Sequence, residues 1–321
     1  MPVSVSAMFS TTEELQGKSS WRNYLNCSIK CVYLSFSVLF VAFFIGSSLF
    51  LFLSLRHKDD DKLVLATIPD SFDPTNYWLE LSKVVLPLGT ILIPGQPAYK
   101  ALQWMVLKDP ARPLTNATRM RQRYALAAMY FQWSGPSWSL PTGLGWLKEA
   151  SINVALADEC TWEGIACNSL GQVTGLAMDS ELFGVMSGKL ASEIGTLTAL
   201  QYLVLPGHDF YGGTEALNPL SDLRRLDLSG NRFTGFELAS KPLRNLQELM
   251  LTDNKIKSVW DVALLQKASE LRVLEVNNND NLSGDILSGL DSLSNLERLN
   301  LAQTSLGGTL PEDIGRLTTL K

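Results

Sequence analysis

Cys160 and Cys167, with Trp162 and Gly164 between them, are the side chains of this sequence best suited to covalent or metal chemistry. Their gap is too wide for a C-x₂₋₄-C zinc knuckle, and no histidine or second cysteine pair stands nearby. The only histidines are His57 and His208, and neither has the local partners of a nucleophile triad. The stretch Gly184-Val-Met-Ser-Gly188-Lys189 is one residue short of a phosphate loop and lacks a hydroxyl residue after its lysine. Asp59-Asp60-Asp61 would attract a cation, but three adjacent carboxylates without further ligands read as a solvated stalk. Arg119, Arg121 and Arg123 are either an anion-binding patch or the solvated polar face of a helix, and the second reading is the default. The expectation is therefore a protein that binds rather than catalyses, with no cofactor and no metal.

A binding surface needs elements to hold it, and leucine spacing supplies them. Leu223-x-x-Leu226-x-Leu228-x-x-Asn231 recurs as Leu246-x-x-Leu249-x-Leu251-x-x-Asn254 and as Leu271-x-x-Leu274-x-Val276-x-x-Asn279. Aligning Val173, Leu200, Leu223, Leu246, Leu271, Leu296 and Leu320 gives steps of 27, 23, 23, 25, 25 and 24 residues, a repeat period. Each x-Leu-x-Leu core predicts a short strand that buries alternate side chains, and stacked strands complete one another's backbone bonds as a parallel sheet. Asn231, Asn254 and Asn279 follow the strands, where a buried amide can bond the backbone of adjacent coils. His208 and Thr304 take that place in two units, and Glu181 takes it in the first. The outward positions form columns: Tyr202, Arg225, Glu248, Val273 and Arg298, then Val204, Asp227, Met250, Glu275 and Asn300, then Pro206, Ser229, Thr252, Asn277 and Ala302.

With Leu306-Gly-Gly-Thr-Leu-Pro311 as a return segment, this pattern resembles the plant-type extracellular leucine-rich repeat family over roughly Cys160 to Lys321. Cys160-Thr-Trp162-Glu-Gly164-Ile-Ala-Cys167 is similar to the CxWxGVxC element of that family's N-terminal cap. The resemblance implies a Cys160–Cys167 disulfide with Trp162 laid over the first coil. It also implies an α/β fold: a leucine-rich repeat solenoid with a parallel β-sheet on its concave face and a helical, disulfide-closed cap. Two helices are predicted in the cap, one from Pro97 to Asp109-Pro110 and one from about Thr115 to Trp133.

Residues Cys31 to Leu55 are 25 consecutive uncharged positions between Lys30 and Arg56. As a helix they would be about 37 Å long, enough for a hydrocarbon core of about 30 Å, so one transmembrane signal-anchor helix is expected. Basic residues are balanced on its two sides, but a structural disulfide needs an oxidising compartment. The expected order is a cytosolic tail (1–30), the membrane helix (31–55), an extracellular spacer (56–96), the helical cap (97–172) and about six repeats (173–321). Asn116-Ala-Thr118 and Asn281-Leu-Ser283 are glycosylation acceptor tripeptides on the outer side. Leu317-Thr-Thr-Leu320-Lys321 begins another unit, so the array is expected to continue.

The net charge of −5 argues against nucleic acid as a partner. The functional expectation is a single-pass, plasma-membrane recognition protein whose concave sheet binds an extracellular protein, peptide or glycan through Tyr202, Arg225, Asp227, Glu248, Met250, Glu275 and Arg298. A tail of thirty residues holds no kinase domain, so any signal passes through a membrane co-receptor. The alternative is a non-signalling adhesion or cell-wall-contacting structural protein.

Overall fold

The structure is a computed structural model, and it describes residues 32–34, 38–45, 48–55, 73–86, 92–111, 115–139, 146–147, 158–236, 244–260, 263 and 266–321. The N-terminal tail, Asp59 to Asp61 and His57 lie outside these residues. The chain divides into two units, Met1–Ala66 and Thr67–Lys321.

In the first unit the expected membrane helix is replaced by strands: β1 (Val32–Leu34), β2 (Val38–Ile45) and β3 (Ser48–Leu55). They form an antiparallel sheet in the order β1-β2-β3, with Val38 opposite Leu55 and Ile45 opposite Ser48. The physical reason is that an apolar run carries no periodicity to separate helix from strand, and this one is rich in the aromatic and β-branched residues that favour extended backbone. Among the described residues no helix is long and apolar enough to cross a membrane.

The second unit opens with three helices. The first, α1 (Pro74–Val85), falls in the stretch expected to be a spacer, which is thereby corrected. Asp73 caps it by accepting a bond from the Thr75 amide, Pro74 starts it, and Tyr77, Leu81 and Val85 line one buried stripe at four-residue intervals. Then come α2 (Pro97–Leu107) and α3 (Ala117–Gln132), within two residues of their predicted limits. Arg121 Nε donates to the Val84 carbonyl at 3.1 Å and ties α3 to the end of α1.

From Ile165 onward the chain builds coils. One seven-stranded sheet runs in the order β14-β12-β11-β9-β7-β5-β4, comprising β4 (Ile165–Cys167), β5 (Val173–Ala177), β7 (Tyr202–Val204), β9 (Arg225–Asp227), β11 (Glu248–Met250), β12 (Val273–Glu275) and β14 (Arg298–Asn300). Only β4 pairs antiparallel, and the other six strands are parallel and in register, so that Tyr202, Arg225, Glu248, Val273 and Arg298 stand side by side. Leu176, Leu203, Leu226, Leu249 and Leu274 point the other way into a continuous core. A second set of short parallel strands follows each turn: β6 (Ser187–Gly188) with β8 (Asp209–Gly212) and β10 (Arg232–Phe233), and β13 (Asn279–Asp285) with β15 (Thr304–Gly307). The glycine-rich stretch that resembled a phosphate loop is this return strand β6. There the Lys189 carbonyl accepts bonds from the Gln132 amide side chain at 2.9 Å and the Trp133 indole at 3.0 Å, which fastens α3 to the first coil.

The asparagine column works as expected. Asn231 donates to the carbonyls of Leu205 (2.8 Å) and Leu228 (3.0 Å) while its own oxygen accepts from the Phe210 amide (3.1 Å). Asn254 and Asn279 repeat this one and two coils on, with oxygens accepting from the Phe233 and Ile256 amides. Thr304 reproduces part of it, donating to Leu301 at 2.7 Å. Glu181 does not take part: it is exposed on the short helix α4 (Ser180–Phe183), whose Asp179 cap turns the first coil early.

Candidate functional site

Two groups of polar side chains stand out, one inside the cap and one on the sheet. In the cap, Arg123 is wholly buried rather than solvated, which corrects the sequence expectation for that position. It lies three residues after Met120 and four before Ala127, on the apolar stripe of α3, and that spacing is the signal that could have revealed it. Its guanidinium reaches Asp109 (Nε to Oδ2, 2.8 Å) on one side and Glu159 on the other, and it stacks over the rings of Trp104 and Trp162 at 5.5 and 5.2 Å. Burial works against its charge, but Asp109 and Glu159 outweigh that cost and hold it firmly protonated. Burial likewise opposes ionisation of Glu159, yet Arg123 and Arg119 keep its carboxyl below the ordinary range. Gln122 completes the network, donating to Glu159 (2.9 Å) and to the Gly171 carbonyl (2.9 Å), and accepting from the Val173 amide (2.7 Å).

This network joins the helices to the turn that carries Cys160. Cys160 and Cys167 are bonded to one another, with Trp162 buried in the loop they close and packed against Trp104 and Trp146. Because the bridge restricts the unfolded chain, the double variant Cys160→Ala/Cys167→Ala should unfold at a free energy lower by about 2–3 kcal/mol. Equilibrium denaturation of the two proteins checks it, and equal stability would show that the cap is closed without the bridge.

On the sheet, Tyr202 is the exposed aromatic residue of the outward face, 46% accessible. Beside it Arg225 lies across two strands, with Nη1 3.0 Å from Glu248 and Nη2 3.7 Å from Asp227. Its Nε is shielded from solvent and has no hydrogen-bond partner among the described residues. Arg298 approaches Glu275 at 3.8 Å. Further along, Thr252 donates to Asn277 at 2.7 Å and Asn278 donates to Asp253, a polar border at the ends of the strands. Thus the structure brings Tyr202, Arg225, Asp227, Glu248, Glu275 and Arg298 onto one face, together with Met250. Two expected contact residues are less available than alternation implies: Met250 is 9% accessible and Asp227 8%. In a parallel sheet, column neighbours about 4.8 Å away cover the smaller or central side chains of a row, and Asp227 additionally accepts from the Ser229 amide at 3.2 Å.

The family model described as Leucine Rich Repeat matches residues 222–240 and 295–317, which hold β9 and β14 with their turns. The chain carries leucine-rich repeats. A comparison with curated proteins gives no match. Among solved structures, the repeat chain is similar to PEPR1 with AtPEP1, at 30% identity over 53% of this chain and 24% of that one, with a TM-score of 0.45. It is also similar to the plant peptide hormone receptor RGFR1 in complex with RGF2 (30% identity, 50% and 28% covered, TM-score 0.42). A third is the ectodomain of the membrane receptor kinase GASSHO1/SCHENGEN3 from Arabidopsis thaliana (26% identity, 57% and 22% covered, TM-score 0.45). The chain spans about a quarter of the length of these solved chains.

Proposed function

We propose that this leucine-rich repeat protein is a membrane-anchored recognition protein whose outward sheet face binds an extracellular protein, peptide or glycan, with any signal passed on by a membrane co-receptor. The observation that carries the reading is the surroundings of Arg225: an exposed aromatic ring, a guanidinium with one free and sheltered donor, and two carboxylates, all held on a rigid sheet. A large side chain that loses little freedom, next to charge with unspent hydrogen-bonding capacity, is the composition of a binding anchor. Residues 31–55 are the anchor in this reading. The exposed side chains of Asn116 and Asn281 carry glycans on the same side. Asn116 uses its oxygen to cap α3 through the Arg119 amide, leaving its nitrogen for a sugar.

The test is a comparison of the immobilised protein with its Tyr202→Ala/Arg225→Ala/Glu248→Ala variant, each exposed to a secreted protein and peptide fraction. Met250 is left intact because it is covered. A partner retained by the native protein should be lost from the variant by tenfold or more. Thermal unfolding should shift little, since exposed cross-strand ion pairs contribute only about 0.2–1 kcal/mol. Undiminished capture by the variant removes this face as the binding site.

A further inference from the structure

One coil departs from the asparagine ladder at its most consequential joint. His208 is 4% accessible and bridges the first and second coils: Nε2 lies 2.8 Å from the Met178 carbonyl, and Nδ1 accepts from the Met186 amide at 3.2 Å. Asn231, Asn254 and Asn279 make the same pair of bonds with a carboxamide, which does not titrate. The imidazole can do both jobs only as the neutral tautomer with hydrogen on Nε2. A second proton on Nδ1 would face the hydrogen of the Met186 amide, donor against donor.

We propose that His208 makes the joint between the first two coils acid-sensitive: neutral, it locks the return segment Gly184–Gly188 onto the second coil, and protonated, it releases that segment. The released bond matters for neighbouring ones, since the Asp209 amide donates to the Met186 carbonyl and the Met178 amide to the Val204 carbonyl. The joint is therefore bonded to the Val204 end of β7, the strand that presents Tyr202. This deepens the recognition reading by giving its face a regulator, but the joint stands without any ligand.

The groups that face the ring fit the assignment. Phe210 packs edge-on at 5.3 Å and excludes water. Asp179 is the carboxylate that favours the proton, and it already accepts from the Leu182 amide. Asp209, next in the chain, is engaged by Arg232 at 3.0 Å, and Glu181 is exposed on α4. Burial outweighs the bond to Met178 and the charge of Asp179, so the ring's proton affinity falls below that of a free histidine. A group whose folded pKa is depressed stabilises the fold above its unfolded value, about 6.5, and that contribution is lost as pH falls from there through the folded value.

Hydrogen exchange on the whole protein tests this with controls built into the same molecule. Between pH 7 and pH 5, after correction for intrinsic exchange chemistry, protection of the Met186 amide should fall about tenfold relative to the Phe210, Phe233 and Ile256 amides, which are bonded to asparagines. His208→Asn should abolish the difference. A constant ratio in the native protein overturns the proposal, as does an unchanged pH response in a folded His208→Asn variant. Neither readout involves a ligand, so failure here is distinct from failure of the binding face.

Discussion

Arg123→Ala should destabilise the folded protein by about 3–5 kcal/mol, the effect of stripping the partner from buried carboxylates. Asp109 is fully buried and Glu159 nearly so, and both bond the same guanidinium. Removing it leaves two anions in a site walled by Trp104 and Trp162, with Arg119 reaching only Glu159. For a unit of this size the thermal midpoint should drop by roughly 10 °C. The pH response should also change sign. In the native protein Glu159 is held below its ordinary range, so its contribution is present above about pH 4.3 and is lost as acid protonates it. Without Arg123 the same carboxyl is mainly desolvated and its affinity for a proton rises, so mild acid should partly restore the variant's stability. Adding both Asp109→Asn and Glu159→Gln to Arg123→Met should recover much of the loss, because a neutral replacement of a whole buried ion set can be nearly free of penalty. Denaturant titrations at pH 7 and pH 5 measure all of this. A loss below about 1 kcal/mol for Arg123→Ala would mean that water reaches the network.

That network also marks where sequence reading stops. Strand positions were legible because leucines at three- and two-residue spacing satisfy only one backbone geometry, and the register Tyr202–Arg225–Glu248–Val273–Arg298 followed from the repeat period. The two cap helices were legible from their apolar stripes and their punctuation by Pro97, Asp109-Pro110 and Gly135-Pro136. Charge type, by contrast, misled at Arg123. A guanidinium on an apolar stripe is buried when two carboxylates distant in sequence, here 14 and 36 residues away, converge on it. No local pattern announces that convergence. At α1 the scattered prolines obscured an ordinary start, Asp73-Pro74, and a stripe of Tyr77, Leu81 and Val85. At residues 31–55 composition without periodicity supported a helix and a hairpin alike. On the sheet, alternation told which way Met250 and Asp227 point, but their cover comes from side chains in other coils, which alternation within one coil does not contain.

The asparagine column sets the second large effect. Asn254 is 8% accessible and serves two coils at once: its nitrogen donates to Leu228 at 2.9 Å and Leu251 at 3.0 Å, and its oxygen accepts from the Phe233 amide at 2.9 Å. Asn254→Ala leaves the Phe233 amide buried without that partner, while the Leu228 and Leu251 carbonyls still accept from Asn231 and Asn279, and an unsatisfied buried group costs about 1–3 kcal/mol. The expected loss is therefore about 1–3 kcal/mol, smaller than that at Arg123 and in the middle of the array. Coils are coupled mainly to their neighbours, so the damage should be local: exchange should accelerate at Phe233, Leu228 and the adjoining Lys255, while amides within the cap keep their protection. Asn254→His gives the sharper result. At neutral pH an imidazole can take over one donor and one acceptor role, as His208 does two coils earlier, so part of the stability should be retained. Below about pH 6.5 that variant should lose stability more steeply than the native protein. Equal instability of the histidine and alanine variants at neutral pH would show that the ring fits only where Met178 and Met186 shape the site, and that the asparagines elsewhere are required for their size as well as their bonds.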